Sequence, residues 1–159
     1  DRSSAASDVY KRQVKNKKGV ALERIDPDAA TQDAANWTSA SETVGYGTPG
    51  YQNSQYKDAS SGGATGIEPP VWIEESGSYT VSYLLDRPGY SCRAFVFNTS
   101  GLRVADISNH ELLGISGKIT WSGVANNGSP LQTGVYIFYA EIYHPEGTVK
   151  RFKKAFLIR

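Results

Sequence analysis

The sequence predicts an all-β protein whose main body is a β-sandwich, and three observations predict it. From about Ile67 onward, short runs alternate apolar and polar residues, as in Tyr79, Val81, Tyr83 and Leu85 against Ser78, Thr80 and Ser82. That is the period of a strand with one buried face. Turn signals recur at roughly ten-residue spacing: Asp86-Arg87-Pro88-Gly89, Asn98-Thr99-Ser100-Gly101, Asn126-Asn127-Gly128 and Pro145-Glu146-Gly147. No long stretch carries a competing helical period.

Taken in order, residues 1–13 have no apolar period and are not expected to pack. The string Ser3-Ser4-Ala5-Ala6-Ser7-Asp8-Val9-Tyr10-Lys11-Arg12-Gln13 resembles a translated sequencing adapter, and the native sequence upstream of Val14 is then expected to be missing. The alternative is a natural polar tail. Residues 14–54 form a second zone. Gly19 to Ile25 reads as one short strand, Asp26-Pro27-Asp28 opens a loop because proline fixes φ and aspartate favours turns, and Asn36-Trp37 follows. Residues 55–66 are small and polar with several glycines. They have too little apolar area to offset backbone entropy and read as a flexible linker.

Residues 67–159 supply the sandwich. Cys92, Ala94 and Val96 alternate with Ser91, Arg93, Phe95 and Phe97, then Leu102 to Ile107 makes a further strand. Asn109 to Gly117 reads as a loop, Lys118 to Trp121 as a short strand, and Val135 to Tyr143 pairs with Thr148 to Ile158 across the Pro145 turn. The expected core is Trp72, Val81, Tyr83, Val96, Ile119, Trp121, Tyr136, Phe138, Ile142 and Leu157. This unit is expected to fold alone. Residues 14–54 are not, because a few edge residues cannot form a two-layer core. They are expected to dock on the sandwich edge through Val20 to Ile25 and to bury Trp37.

Composition narrows the function classes. Of 159 residues, 39% are hydrophobic and 21% charged, enough for one core and against wholesale disorder. No apolar run reaches the ~20 residues of a membrane helix. The formal net charge of +1 is unevenly spread, with five basic and thirteen acidic groups over residues 25–149. An acidic body argues against a nucleic-acid groove, and the basic ends read as solvated tails or strand edges. A single cysteine, Cys92, excludes an internal disulfide framework, and two histidines leave little for metal or acid–base work. No cofactor and no metal are expected.

Two sets of residues carry resemblances. Leu22-Glu23-Arg24, Asn36-Trp37 and the closing Thr48-Pro49-Gly50 with Asn53 resemble, in order, the end of a bacterial lamin-tail domain. The match spans about forty residues, and a whole lamin-tail domain is a β-sandwich of more than a hundred, so the resemblance implies a partial domain. Further on, Trp121-Ser122-Gly123, Asn127-Gly128 and Gly134-Val135-Tyr136, with Gly101-Leu102-Arg103-Val104 upstream, resemble the signature of the immunoglobulin-like domain first named in the flagellar hook-capping protein (FlgD-like). The chain departs from that pattern where many members carry a Ser-Pro-Asp-Gly-Asp-Gly stretch and this sequence has Glu68-Pro69-Pro70-Val71-Trp72-Ile73.

The second resemblance implies an immunoglobulin-like sandwich at the C-terminal end of a secreted or cell-surface protein of gliding bacteria, where it serves as a structural or sorting module for type IX secretion. Its partners would be upstream domains of the same chain, with secretion machinery or a cell-surface glycan as further candidates. The motif residues read as structural: Trp121 fills the sandwich centre, Gly128 takes the positive φ of an Asn-Gly turn, Gly134 permits a bend, and the Tyr136 hydroxyl reaches a loop carbonyl.

Sharper readings have bland rivals. Cys92 with His110 or His144 has the residue types of a nucleophile–base pair, yet a lone cysteine on an alternating strand reads as a small core residue. Asp26, Asp28 and Asp33 supply hard oxygen ligands of the kind calcium takes, yet aspartate is also the ordinary loop residue. Asn36-Trp37-Thr38, Asn98-Thr99-Ser100 and Asn127-Gly128-Ser129 match the N-glycan acceptor pattern, which is irrelevant in most bacteria. Tyr79, Tyr83, Tyr139 and Tyr143 are candidates for an exposed sugar-binding face, yet tyrosine is also a good strand former. With no triad and no metal cluster, the expectation is a non-catalytic display, sorting or spacing module; the alternative is a carbohydrate- or surface-binding module.

Overall fold

Among the described residues, alternation and turn chemistry build ten strands. They are β1 (Leu22–Arg24), β2 (Trp37–Ser39), β3 (Gly66–Ile67), β4 (Val71–Ile73), β5 (Ser78–Leu84), β6 (Ser91–Phe97), β7 (Arg103–Leu112), β8 (Ser116–Trp121), β9 (Gly134–Tyr143) and β10 (Val149–Ile158), with 3-10 turns at Ala34–Asn36 and Glu42–Val44. The computed structural model describes residues 19–56 and 64–159. The tail expected over residues 1–13 lies outside the described residues, as do residues 57–63 of the expected linker.

Two antiparallel sheets form the main body, an immunoglobulin-like β-sandwich. One sheet has the order β10-β9-β6-β7, and the other centres on β5. Strand β8 lies along one edge of β5, while β3 and β4 pair with successive stretches of it, at Leu84–Tyr83 and at Thr80–Ser78. Pro69 and Pro70 fall between those two short strands, where the missing backbone N–H groups interrupt a continuous ladder.

Because side chains alternate across a strand, β5 sends Tyr79, Val81 and Tyr83 inward, and β6 sends Cys92, Ala94 and Val96 to meet them. Phe138, Ala140 and Ile142 of β9, Ile119 and Trp121 of β8, and Phe156 and Ile158 of β10 pack with them. Several expectations change here. Trp72 is 41% exposed and Leu157 48% exposed, so neither is core. The register of β10 on β9 turns Phe156 and Ile158 inward and Leu157 outward. Tyr136 is half-buried and packs against the core's rim. Tyr79 and Tyr83, candidates for an exposed face, are buried.

The expected loop over Asn109–Gly117 is mostly strand. Strand β7 continues to Leu112, with Asn109 opposite Arg93 and Glu111 opposite Cys92. His110 is the extra residue between them and has φ 65. An Asn-His pair that reads as loop in sequence is therefore a bulge that keeps the ladder going.

The N-terminal unit is a β1–β2 hairpin followed by an irregular return to Tyr56. The single strand expected over Gly19–Ile25 is ordered as strand at Leu22–Arg24. Trp37, expected to be buried against the sandwich edge, is half-buried, its indole N–H donating to Thr31 O at 2.8 Å. Hydrogen bonds to the sandwich run through Ser54 and Gln55. Ile115 N donates to Ser54 O at 3.2 Å, and the Gln55 side-chain amide donates to Ser39 O at 3.2 Å and Leu113 O at 3.0 Å. Gln55, which falls in the expected linker, is 0% exposed.

Candidate functional site

Four places gather residues with chemical potential. The first joins Glu23 and Arg24 with Thr48, Asn53 and Ser54. Strand β1 alternates so that Leu22 and Arg24 are half-buried while Glu23 points into the unit and is buried. Its carboxylate accepts from Thr48 Oγ1 at 2.5 Å, Ser54 Oγ at 2.7 Å and Gln55 N at 3.2 Å. A buried carboxylate satisfied by several donors is a structural hub, because each donor offsets part of its desolvation. Asn53 Nδ2 donates to Arg24 O at 3.0 Å, and Arg24 donates to Pro27 O and Ala29 O, both at 2.6 Å. Pro49 and Gly50 lie in the turn that Tyr51 N closes on Thr48 O at 3.1 Å, with Gly50 at φ 80. Fold topology thus brings Thr48 and Asn53 onto the Leu-Glu-Arg strand.

The seam between the units continues from this hub. A Cβ on Gly114 would stand 2.7 Å from Ser54 O, closer than real contacts allow, so the close approach needs glycine there. Thr43 Oγ1 lies 3.4 Å from Tyr83 Oη, a second link between the units.

The second place is the Trp121 loop. Trp121 packs tilted against Tyr79 with ring centroids 5.5 Å apart and edge-to-face against Phe156 of the facing sheet at 6.3 Å. Its indole N–H donates to Val124 O at 3.0 Å. Gly123 has φ 79 and Gly128 φ 82; at Gly128 the Asn-Gly turn closes with Gly128 N on Ala125 O at 2.9 Å. Asn126 ties the loop to β7, accepting from Asp106 N at 2.8 Å. Gly134 opens β9 with negative φ, and Tyr136 Oη donates to Gln132 O at 3.0 Å.

The third place is the outer face of the four-stranded sheet. Phe95 and Tyr139 stack at 6.4 Å and 9°, with the Arg103 guanidinium 3.8 Å above the Phe95 ring. Glu141 holds Arg93 at 2.5 Å and Arg151 at 2.8 Å, and those hydrogen bonds lower its carboxyl pKa. Tyr139 and Tyr143 are on this face, half-buried. The fourth is a cleft of about 790 Å³ beside Trp72, whose ring meets Tyr79 edge-on at 5.1 Å. Sequence alone does not point to this cleft, because Trp72 reads there as a core residue.

Other candidates resolve into local roles. Cys92 is buried, and burial first, then the Glu111 charge, pushes its thiol up to about 12; such a group is not a thiolate at neutral pH. His110 packs on Tyr143, and His144 on Tyr90. Asp26 Oδ1 accepts from Asp28 N, and Asp33 Oδ1 from Ala35 N. Among the described residues no group of His, Cys, Asp or Glu is placed to hold a metal ion. No helix among them is long and apolar enough to cross a membrane.

Solved structures to which the chain is similar include two bacterial proteins. One is FlgD from P. aeruginosa, 18% identical over 54% of this chain and 65% of that chain, with a TM-score of 0.42. The other is PorZ, described as an essential bacterial surface component of the type IX secretion system of Porphyromonas gingivalis, 16% identical over 78% of this chain and 14% of that chain, with a TM-score of 0.36. The chain spans less than two thirds of either. No family model and no curated protein matches it.

Proposed function

We propose that the chain is a non-catalytic module for surface display, sorting or spacing within a larger secreted bacterial protein. The observation that carries this reading is the seam. Gln55 is fully buried between Ser39 O and Leu113 O, and Ser54 is bonded to Ile115. A hairpin pinned in this way gives the sandwich a fixed attachment for whatever precedes it, as a spacer or display module needs. The Trp121 loop supports the same reading, since each motif residue there has a packing or turn role. Fusing residues 19–159 behind a reporter in a type IX-competent host tests it. The reporter is expected at the cell surface with the fusion and not without it; retention in the cell with a folded fusion would refute sorting and leave spacing.

A second reading, a carbohydrate-binding face, is favoured by the stacked Phe95–Tyr139 pair and by Tyr143 on the outer sheet. Flat aromatic faces suit sugar rings, and binding on a glycan array that Tyr139→Ala abolishes would support it.

A further inference from the structure

The free edge of the four-stranded sheet has no role in either reading. Strand β10 pairs with β9 in unbroken register from Val149↔Tyr143 to Ile158↔Gly134. Its other side pairs with no described strand. At ~3.4 Å per residue this is about 34 Å of backbone with open donors and acceptors. Natural edges of such length are commonly shortened, bulged, covered, broken by proline or lined with lysine. This edge has no proline and no register shift.

What β10 carries is charge: Lys150, Arg151, Lys153 and Lys154, with no acidic residue, and Arg159 just beyond. Lys150 is bonded to Asp86 and Arg151 to Glu141. Lys153 and Lys154 have no acidic partner among the described residues. Beside the strand's end, the 790 Å³ cleft offers Trp72, Leu131 and Leu157. Its far wall includes β4, an edge strand of the other sheet with all three residues exposed.

Charge selects the occupant. A second copy adding β10 to β10 would set the cations of both chains against each other, which is unfavourable for directly opposed like charges. An alternating acidic and apolar strand fits on both counts. Its carboxylates would lie on the outer face with Lys153 and Arg159, and its apolar side chains, on the inner face that Phe156 and Ile158 share, would reach the cleft beside Trp72. We propose that the β10 edge accepts an extended acidic peptide segment of a partner protein by strand addition.

The test uses the whole chain and a labelled ten-residue peptide of alternating valine and glutamate, read by fluorescence anisotropy. The peptide is expected to bind, and its valine–lysine counterpart to bind about tenfold or more weakly. N-methylating one set of alternate amides in the acidic peptide should abolish binding, and methylating the other set should not, because only one side of a strand faces the edge. The double variant K153E/R159E alters two exposed side chains and should melt like the parent. It is expected to reverse the preference toward the lysine peptide. Equal binding of both methylated peptides would reduce the effect to charge adsorption and overturn the proposal. So would the absence of binding, which would make the lysines a guard against pairing, or an unchanged preference in the double variant.

Discussion

Trp121→Ala is expected to be the most damaging single substitution in the sandwich. The side chain is 8% exposed and bridges the sheets, touching Tyr79 on its own sheet and Phe156 on the facing one. Truncating a buried aromatic costs about 3–5 kcal/mol through lost transfer energy and the cavity left behind. The indole N–H also holds Val124 O, in the loop that carries the Asn-Gly turn. Losing that bond adds about 1 kcal/mol. A domain of this size has roughly 5–15 kcal/mol in total, so the variant should lose half or more of its stability. Urea melts followed by far-ultraviolet circular dichroism are the assay, because the chain has three tryptophans and emission would mix their signals. Trp121→Phe keeps one aromatic ring and loses the second with its N–H; it should cost about 2 kcal/mol, less than alanine because the cavity is smaller. A Trp121→Ala midpoint equivalent to less than about 1 kcal/mol of loss would refute the reasoning, since no residue bridging two sheets can be removed so cheaply.

Gln55→Ala leaves two carbonyls without their amide donor; it should make the hairpin unit protease-sensitive while the sandwich melt changes little, as limited proteolysis with mass spectrometry would show. Asp86 sits near an ordinary carboxyl pKa until Thr65 and Lys150 bond to it; burial raises its pKa, those bonds outweigh burial, and the result is about 2. The ion pair's stability is therefore present above the unfolded value of 3.8 and lost as pH falls toward about 2. With the side chain 41% exposed, solvent screening holds that contribution to about 1 kcal/mol or less, and parent and Asp86→Asn melts should converge across that window. His144 has its pKa lowered by burial and by Arg87, so its contribution is present above 6.5 and lost as pH falls below it; His144→Gln should flatten that limb of the stability profile. Cys92→Ser changes little volume and should cost about 1–2 kcal/mol; in the folded parent, alkylation of Cys92 should be far slower than in urea.

The alternation in β5 and β6 was legible in sequence because only one parity of each strand carries the core residues. Tyr79, Val81 and Tyr83 share one face, and Cys92, Ala94 and Val96 share another. The Asn-Gly turn and the tryptophan before it were legible for a similar reason, since their chemistry is local. Near the end of β10 both parities are apolar: Phe156 and Ile158 on one, Ala155 and Leu157 on the other. Local pattern cannot choose between them, and pairing with β9 does, because a shift of one residue exchanges the faces. Trp72 likewise reads as core by size alone, but β4 is an edge strand and leaves it at a cleft. The seam lay furthest from sequence. Glu23, Ser54 and Gln55 are polar residues up to 32 positions apart, and small polar residues read as loop or linker wherever no partner is visible. Only the fold brings Leu113 O and Ser39 O to the Gln55 amide, and a polar side chain becomes structural when burial removes water as its alternative partner.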